Sequence, residues 1–240
     1  MYVRPTHQGK PLSFGVTGKL WRDSLVMYDR ETGSTWSHVM GEAMAGPLKG
    51  QTLKLVPALI TTWAHWKRLY PAGKVLAKRG GVFGPSGSSN VYQSYFEDPN
   101  RLGIFGTRNP DQVLPGKEFV LGVTAGGARV AYAFRRLSRQ PLVNDTAGGE
   151  PVVVAFAARD ATAAAFSRRA GERALTFTNL RQQDGVWMMD DRETGSTWRA
   201  FEGSAVAGKL KGARLEPLAA TQAFWFAWKQ IHPETRLWAP

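Results

Sequence analysis

Runs of apolar residues along the chain predict a protein built mainly from β-strands. Two short apolar segments, Ser24–Asp29 and Val186–Asp191, are typical of buried strands, and each leads into the octet Asp-Arg-Glu-Thr-Gly-Ser-Thr-Trp. The Glu-Thr-Gly-Ser portion of the octet predicts a turn, because glycine adopts backbone conformations that other residues resist. After the turn in the first octet, residues 35–42 are expected to form the returning strand of a hairpin, and residues 51–57 a further strand.

A short helix is expected where this pattern ends, over residues 62–69. Trp63 and Trp66 share a face of that helix at i, i+3 spacing, and Thr61 or Thr62 provides the N-cap. Pro71 marks its end.

Further elements are predicted ahead of the second octet. Three apolar runs predict strands at residues 119–123, 129–134 and 151–156. Residues 140–150 contain Asn144-Asp145 and a Gly-Gly pair, which favour a turn.

The two octets belong to an internal repeat. Residues 29–71 align with residues 191–233 at a constant offset of 162 without a gap, and 21 of these 43 positions are identical. Phe14 and Phe177 also correspond, with one residue of slippage. A repeat this long predicts two domain-sized units rather than a solenoid, and we expect them to superpose with the same strand order about an approximate two-fold axis.

These patterns predict an α+β fold, mostly β, made of two pseudo-symmetric β-rich units that each end in a short helix. The first unit is expected at residues 1–79 and the second unit at residues 117–240. Residues 80–116 are expected to form a linker that packs on the units. Fewer strand-forming residues precede the first octet than the second, so the first unit is expected to be truncated at its N-terminus. Such a truncation predicts an unpaired sheet edge. Three alternatives follow: another chain covers this edge, the Arg4-Pro5 segment covers it, or the natural gene product starts further upstream.

Composition limits the classes of function. The chain has 240 residues, of which 43% are hydrophobic, so it can bury a sizeable core. It contains no cysteine, which excludes disulfides, thiolate metal sites and cysteine nucleophiles. No apolar run is long enough to predict a membrane span. The N-terminus has no apolar signal region, which predicts a cytoplasmic protein if the chain is complete and an extracytoplasmic one if a leader is missing.

The chain is strongly basic, with 31 Lys and Arg against 19 Asp and Glu and a net charge of +12. This balance favours an anionic partner such as nucleic acid or a membrane surface. The excess is shared between the two parts of the chain, which is also typical of a solvated basic surface.

Several segments together resemble a known family, the bacterial and archaeal proteins catalogued as domain of unknown function 3179. The resemblance covers nearly the whole chain and rests on the following segments: Phe14-Gly-Val-Thr-Gly, Leu25 through Ser37, Gly41 through Gly50, Thr61-Thr-Trp with Trp66, Val120-Leu-Gly-Val, Asn144-Asp145, Phe224-Trp-Phe-Ala-Trp, and His232-Pro233. It implies no particular chemistry. Members usually carry a Cys-Pro-Leu segment ahead of the Phe-Gly-Val-Thr-Gly strand, and its absence here puts any activity that needs that cysteine in doubt.

The polar side chains of the octets are the first candidates for a ligand site between the two units. They are Asp29, Arg30, Glu31, Thr32, Ser34, Asp191, Arg192, Glu193, Thr194 and Ser196. The alternative is a structural hairpin whose aspartate accepts backbone N–H bonds. A third possibility pairs either the two aspartates or the two glutamates as a shared-proton dyad, although an aspartic-protease signature has Asp where this chain has Glu.

Histidines and tryptophans are weaker candidates. None of the four histidines is repeated at the offset of 162, so a symmetric metal site is not expected, although His38 or His65 with carboxylates remains an alternative. The tryptophan pairs of the predicted helices are expected to be core residues, with a ligand pocket as the alternative. We expect Trp36, Trp63, Trp198 and Trp225 to be mostly buried.

Three classes of function stay open, and no cofactor or metal is predicted. The favoured hypothesis is a non-enzymatic binding or assembly module that presents an inter-unit cleft or an open sheet edge, either as a homo-oligomer or with a protein partner. The others are an enzyme of unknown reaction that uses the octets, and a basic nucleic-acid-associated protein.

Overall fold

The structure is a computed structural model that describes residues 1–75 and 92–240. Residues 76–91, which include the end of the predicted first unit and the start of the predicted linker, lie outside the described residues. The described chain is mostly β with four short α-helices, which confirms the predicted class. The helices are α1 (Trp63–Leu69), α2 (Gln93–Glu97), α3 (Phe134–Leu137) and α4 (Trp225–Ile231).

The strands fall into an N-terminal and a C-terminal group. The N-terminal strands are β1 (Thr6–His7), β2 (Lys10–Pro11), β3 (Phe14–Trp21), β4 (Ser24–Asp29), β5 (Thr35–Ser37) and β6 (Glu42–Ala45). The C-terminal strands are β7 (Phe119–Ala125), β8 (Ala128–Ala133), β9 (Leu142–Ala147), β10 (Glu150–Ala157), β11 (Thr162–Ser167), β12 (Arg169–Ala170), β13 (Arg173–Ala174), β14 (Phe177–Gln183), β15 (Val186–Asp191), β16 (Thr197–Arg199), β17 (Ser204–Ala207), β18 (Ala219–Phe224) and β19 (Arg236–Leu237).

A three-stranded antiparallel sheet, β9-β10-β11, forms the central layer of the C-terminal part. Val152 and Val154 on β10 pack into one core with β7 and β8. Val153 and Ala155, which point the other way, pack into a second core with the sheet β14-β15-β16-β17. Because both faces of β10 are covered, its sequence is a continuous apolar run rather than an alternating one.

The two octet-bearing sheets are built alike. Their orders are β3-β4-β5-β6 and β14-β15-β16-β17, and all neighbouring strands are antiparallel. Phe14 lies opposite Asp29, and Phe177 lies opposite Asp191, as the sequence alignment predicts. The strand order is therefore the same in the two repeat segments.

The strands predicted ahead of the second octet are present, and they lie outside the octet sheet. β7 and β8 belong to the sheet β18-β7-β8-β19, and β10 to the central layer. Each octet sheet is therefore four-stranded, and the first one lacks none of the strands that the second contains.

Two sequence predictions of secondary structure are wrong. Within residues 140–150, Leu142–Ala147 form strand β9, because this segment pairs with β10 along its whole length; the Asn144 side chain also bonds the N–H and the C=O of Phe177, at 2.8 Å each. Residues 51–57 are not a strand. Thr52 and Leu55 each form a single isolated β-bridge, and neither bridge extends into a ladder.

The returning strand predicted at residues 35–42 is split. β5 ends at Ser37, a turn closed by the Gly41 N–H bond to the Ser37 carbonyl follows, and β6 then begins. Gly41 has a φ of +64°, which favours glycine at that turn.

Residues 57–62 and β18 occupy equivalent positions in the repeat but have different surroundings. β18 pairs along its whole length with β7 and leads into α4. Residues 57–62 lead into α1, and no strand of the described chain pairs with them. Within the described chain, residues 57–62, next to α1, are therefore the segment that lacks the strand partner of its repeat equivalent.

Equivalent tryptophans of the two repeats also differ in their surroundings. Trp36, Trp198 and Trp225 are buried, which confirms the prediction for these three. The prediction for Trp63 is wrong: its side chain is 54% exposed, against 1% for Trp225. β7 and β8 cover Trp225, whereas the Trp63 ring stacks on Trp66, with ring centroids 5.0 Å apart, and its centroid lies 5.5 Å from Lys67 Nζ.

The described part of the predicted linker, residues 92–116, packs on the C-terminal part at a few points. Leu102 and Leu114 are buried, and Leu114 joins the core around Trp225. Phe105, by contrast, is strongly exposed.

The matched tryptophans provide a test of this packing. We expect Trp225→Ala to lower the free energy of unfolding by about 3–5 kcal/mol, because it leaves a large cavity. Trp63→Ala is expected to cost about 1 kcal/mol or less, because its ring is mostly in water. Urea denaturation of both variants measures the difference, and equal losses would contradict the observed burial.

Candidate functional site

The first octet is closed by hydrogen bonds around the buried carboxylate of Asp29. The Thr32 N–H donates to Asp29 Oδ1 at 2.6 Å, and the Thr32 hydroxyl also donates to this carboxylate. Trp36 Nε1 donates to Asp29 Oδ2 at 2.9 Å. Both oxygens of Asp29 are therefore occupied by groups from its own hairpin.

Ser34 ties the same hairpin to the turn that follows β6. Its hydroxyl lies 2.7 Å from the Thr32 hydroxyl and accepts a hydrogen bond from the Leu48 N–H at 3.0 Å. Gly46 lies directly against Ser34: a Cβ added at Gly46 would approach the Ser34 Cα to 2.7 Å. Only glycine fits this contact.

The second octet repeats the arrangement. Asp191 accepts from the Thr194 N–H at 2.6 Å and from Trp198 Nε1 at 2.8 Å, and the Ser196 hydroxyl accepts from the Leu210 N–H at 2.9 Å. Sequence identity at these positions thus corresponds to an identical hydrogen-bond network.

The exposed members of the octets also bond locally. Glu31 accepts from the Ser13 N–H and Glu193 from the Thr176 N–H, at 2.7 Å each. Arg30 donates to the Phe14 carbonyl at 2.7 Å. The structure gives no hydrogen bond for the guanidinium of Arg192 within the described residues.

The Asp29 carboxyl is held in its ionised form. Burial raises the pKa of Asp29, but hydrogen bonds from Trp36 and Thr32 outweigh this effect and hold the pKa below its ordinary value. A carboxylate that is already ionised and fully bonded is suited to closing a turn. It is poorly suited to sharing a proton with a second carboxylate.

The polar residues of each octet bond within their own unit. Across residues 1–75 and 92–240, no hydrogen bond or ion pair joins a residue of one octet to a residue of the other. The contacts match the structural-hairpin alternative, and a ligand role for the octets stays a prediction.

A second polar cluster lies where α1 meets the turn between β10 and β11. The buried His65 ring places Nδ1 2.9 Å from the Thr61 hydroxyl and 3.2 Å from the Thr162 hydroxyl. Asp160 Oδ2 lies 3.8 Å from the same nitrogen, and Arg68 pairs with Asp160 at 3.4 Å. The cluster joins residues about a hundred positions apart, so no local sequence signal predicts it.

His65 is kept neutral in this cluster. Burial lowers its pKa, the Asp160 carboxylate opposes the shift, and the Arg68 guanidinium adds to it. Its Nε2 is buried without a hydrogen-bond partner within the described chain. No group of three or more His, Asp or Glu side chains that could hold a metal ion occurs among the described residues.

A cleft of about 640 Å³ lies between the N-terminal and C-terminal parts. Its N-terminal wall includes Leu55, residues 57–60 and Tyr70. Its C-terminal wall includes residues 163–166 of β11, residues 217–218 and residues 220–222. The small side chains of Ala163, Ala164 and Ala165 leave room for this space, which is lined mostly by apolar groups.

A few polar groups border the cleft. Glu202 is one, and it is bonded to Arg199 at 3.1 Å. Tyr70 is another: burial, with the nearby Glu202 carboxylate, raises the pKa of its hydroxyl, while Arg199 and Arg214 oppose the rise. His38 and Arg214 are exposed at the rim. The sequence predicts an inter-unit cleft lined by the octets and suggests His38 only as a metal ligand; no octet residue is among those that line this cleft.

Comparison with known proteins identifies a family without an assigned function. The family described as "Protein of unknown function (DUF3179)" has a model that matches residues 1–235. No curated protein and no solved structure matches the chain. None of the helices in the described chain is long and apolar enough to cross a membrane.

The neutral His65 predicts acid-sensitive stability. In the folded protein the pKa of His65 lies below its ordinary value of about 6.5. As the pH falls, the unfolded chain therefore takes up a proton at a higher pH than the folded protein does. The stability that is present above about pH 6.5 is lost as the pH falls from about 6.5 toward the folded pKa. His232, with a pKa lowered to about 4 by burial and by Arg129, acts in the same direction. Wild-type protein should therefore unfold more readily at about pH 5.5 than at about pH 7.5, above the carboxylate range.

The variant His65→Gln separates this contribution from that of His232. It should lose part of the pH dependence of urea denaturation, whereas the exposed-site control His38→Gln should retain all of it. An unchanged pH dependence in His65→Gln would show that the cluster does not disfavour the protonated ring.

Proposed function

The chain belongs to the DUF3179 family, whose description assigns no activity, and we propose from the geometry that it is a non-enzymatic module that binds a small apolar ligand. The observation that carries this proposal is the cleft of about 640 Å³ between the two parts of the chain. Ligand pockets are usually concave, mostly apolar, and supplied with a few polar groups that orient the ligand.

The walls of the cleft are held together independently of any ligand. Gln222 Nε2 donates to the Ile60 carbonyl at 3.3 Å across it. The Thr61 and Thr162 hydroxyls lie 2.6 Å apart, and the Thr62 hydroxyl donates to Asp160 at 3.2 Å. These contacts favour a preformed site, which keeps the entropic cost of binding low.

The chemistry of the lining favours binding over catalysis. The lining hydroxyls belong to Tyr2, Tyr70 and Thr221, and in the described chain none of them is hydrogen-bonded to a histidine or a carboxylate. Activation of a hydroxyl as a nucleophile needs such a pair. Tyr2 instead donates to the Val39 carbonyl at 2.9 Å.

A blocking variant tests the proposal with the neutral fluorescent probe N-phenyl-1-naphthylamine. Ala58 is exposed in the cleft wall, so Ala58→Trp should fill the cleft without disturbing a core. We expect it to weaken probe binding by about tenfold or more, a free-energy change of about 1.4 kcal/mol. The control Ala174→Trp places the same bulk on the exposed hairpin strand β13 and should bind like wild type. Failure of wild type to bind the probe, or equal binding by Ala58→Trp, would overturn the proposal.

A second candidate function is assembly through α1, and a specific observation favours it. Trp63 and Trp66 stand where Trp225 and Trp228 stand in the other repeat, and the latter pair is covered by β7 and β8. We propose that a second copy of the chain covers the exposed Trp63, the half-buried Trp66 and residues 57–62. An exposed tryptophan beside an unpaired backbone edge suits such an interface.

Light scattering at low micromolar concentration tests assembly. Wild type should show at least twice the chain mass of 26.4 kDa, and Trp63→Lys should shift it toward the single-chain mass. Phe105→Lys, at another strongly exposed aromatic, is the matched control and should leave the mass unchanged. A wild-type mass near 26.4 kDa would remove the self-assembly proposal.

A further inference from the structure

The rim of the cleft carries a cation without an acidic partner. Arg214 borders the cleft, and its guanidinium forms no ion pair or hydrogen bond within residues 1–75 and 92–240. Residues 76–91 contain no Asp or Glu, so they supply no carboxylate to it. A positive charge beside an apolar wall is therefore available to a ligand.

The backbone holds Arg214 in this position. Arg214 forms an isolated bridge with Ser204 at the start of β17, and the next residue, Leu215, is buried in the core below. Because successive side chains of an extended segment point to opposite faces, Arg214 points away from that core. Its effect on the Tyr70 hydroxyl agrees with a guanidinium that lies near the cleft wall.

The acidic group in the lining does not cancel this charge. Glu202 is the carboxylate among the cleft residues, and both of its oxygens bond to Arg199 Nη1, at 3.1 and 3.3 Å. The cleft therefore combines an apolar surface with a guanidinium at its edge that has no acidic partner among the described residues, and the Met1 ammonium, which donates to the Val56 carbonyl, adds a second positive charge to the lining. The net charge of +12 adds a long-range field of the same sign.

We infer that the ligand is an acidic amphiphile, with an apolar body that fills the cleft and a carboxylate or similar anionic group that pairs with Arg214. This inference rests on the proposed function. A guanidinium presents paired N–H donors that match a carboxylate, and charge-assisted hydrogen bonds are stronger than neutral ones. Arg214 thus determines which end of the ligand lies at the rim.

Two probes of equal chain length, decanoate and decanol, test the inference by displacement of N-phenyl-1-naphthylamine. Wild type should bind decanoate more tightly than decanol. Arg214→Gln should weaken decanoate binding by about tenfold and leave decanol binding unchanged, because only the charge-assisted contact is lost. The control Arg173→Gln removes the same charge from an exposed position on β13 and should bind both probes like wild type.

The possible results separate this inference from the proposed function. Equal affinities for the two probes, unchanged by Arg214→Gln, would overturn the inference and leave a neutral-ligand module. Equal loss of decanoate binding in Arg214→Gln and Arg173→Gln would also overturn it, because general surface charge would then be responsible. If neither probe displaces the dye and Ala58→Trp has no effect on it, the proposed function itself is wrong.

Discussion

Burial of β10 on both faces is the constraint on which the rest of the structure depends. Each of its buried valines contributes about 1.5–3 kcal/mol when removed from water. Val152 and Val154 anchor the core with β7 and β8, while Val153 anchors the core with the second octet sheet. A polar residue at any of these positions would face a core without a partner, since neither face of the strand meets solvent.

The octets stabilise the periphery of this arrangement in a different way. Asp29 and Asp191 each concentrate hydrogen bonds from a backbone N–H, a threonine hydroxyl and an indole N–H. The tryptophan of each octet is thereby fixed in the core of its sheet by both apolar packing and a charge-assisted bond. The polar residues of the octet are thus part of the packing itself. Packing therefore accounts for the identical residues of the two octets without a ligand.

The cleft arises because the two repeats have different neighbours. In the C-terminal part, β7 lies beside β18 and fills the space next to it. Beside residues 57–62 no strand of the described chain takes that place, so apolar side chains such as Ile60 face the cleft and the solvent. The polar cluster around His65 holds α1 to the β10–β11 turn and keeps the two walls of the cleft at a fixed separation.

Much of the local structure followed from the sequence alone. The hairpin of each octet, the Thr62 cap of α1 and the strands β4, β7, β8, β10 and β15 depend on residues close together in the chain, and the pattern identified them. β9 was missed because its polar residues favour a turn, whereas its pairing with β10 and the two bonds of Asn144 to Phe177 depend on residues later in the chain.

The tertiary structure alone decided the environment of equivalent residues. Trp63 and Trp225 have the same place in the repeat, yet one is mostly in water and the other is enclosed, because burial depends on which strands pack nearby. The contact of His65 with Thr162 and the position of Arg214 beside the cleft are long-range in the same sense. Short-range patterns determine hairpins and helix ends, whereas a cavity and its charges exist only once distant segments have packed together.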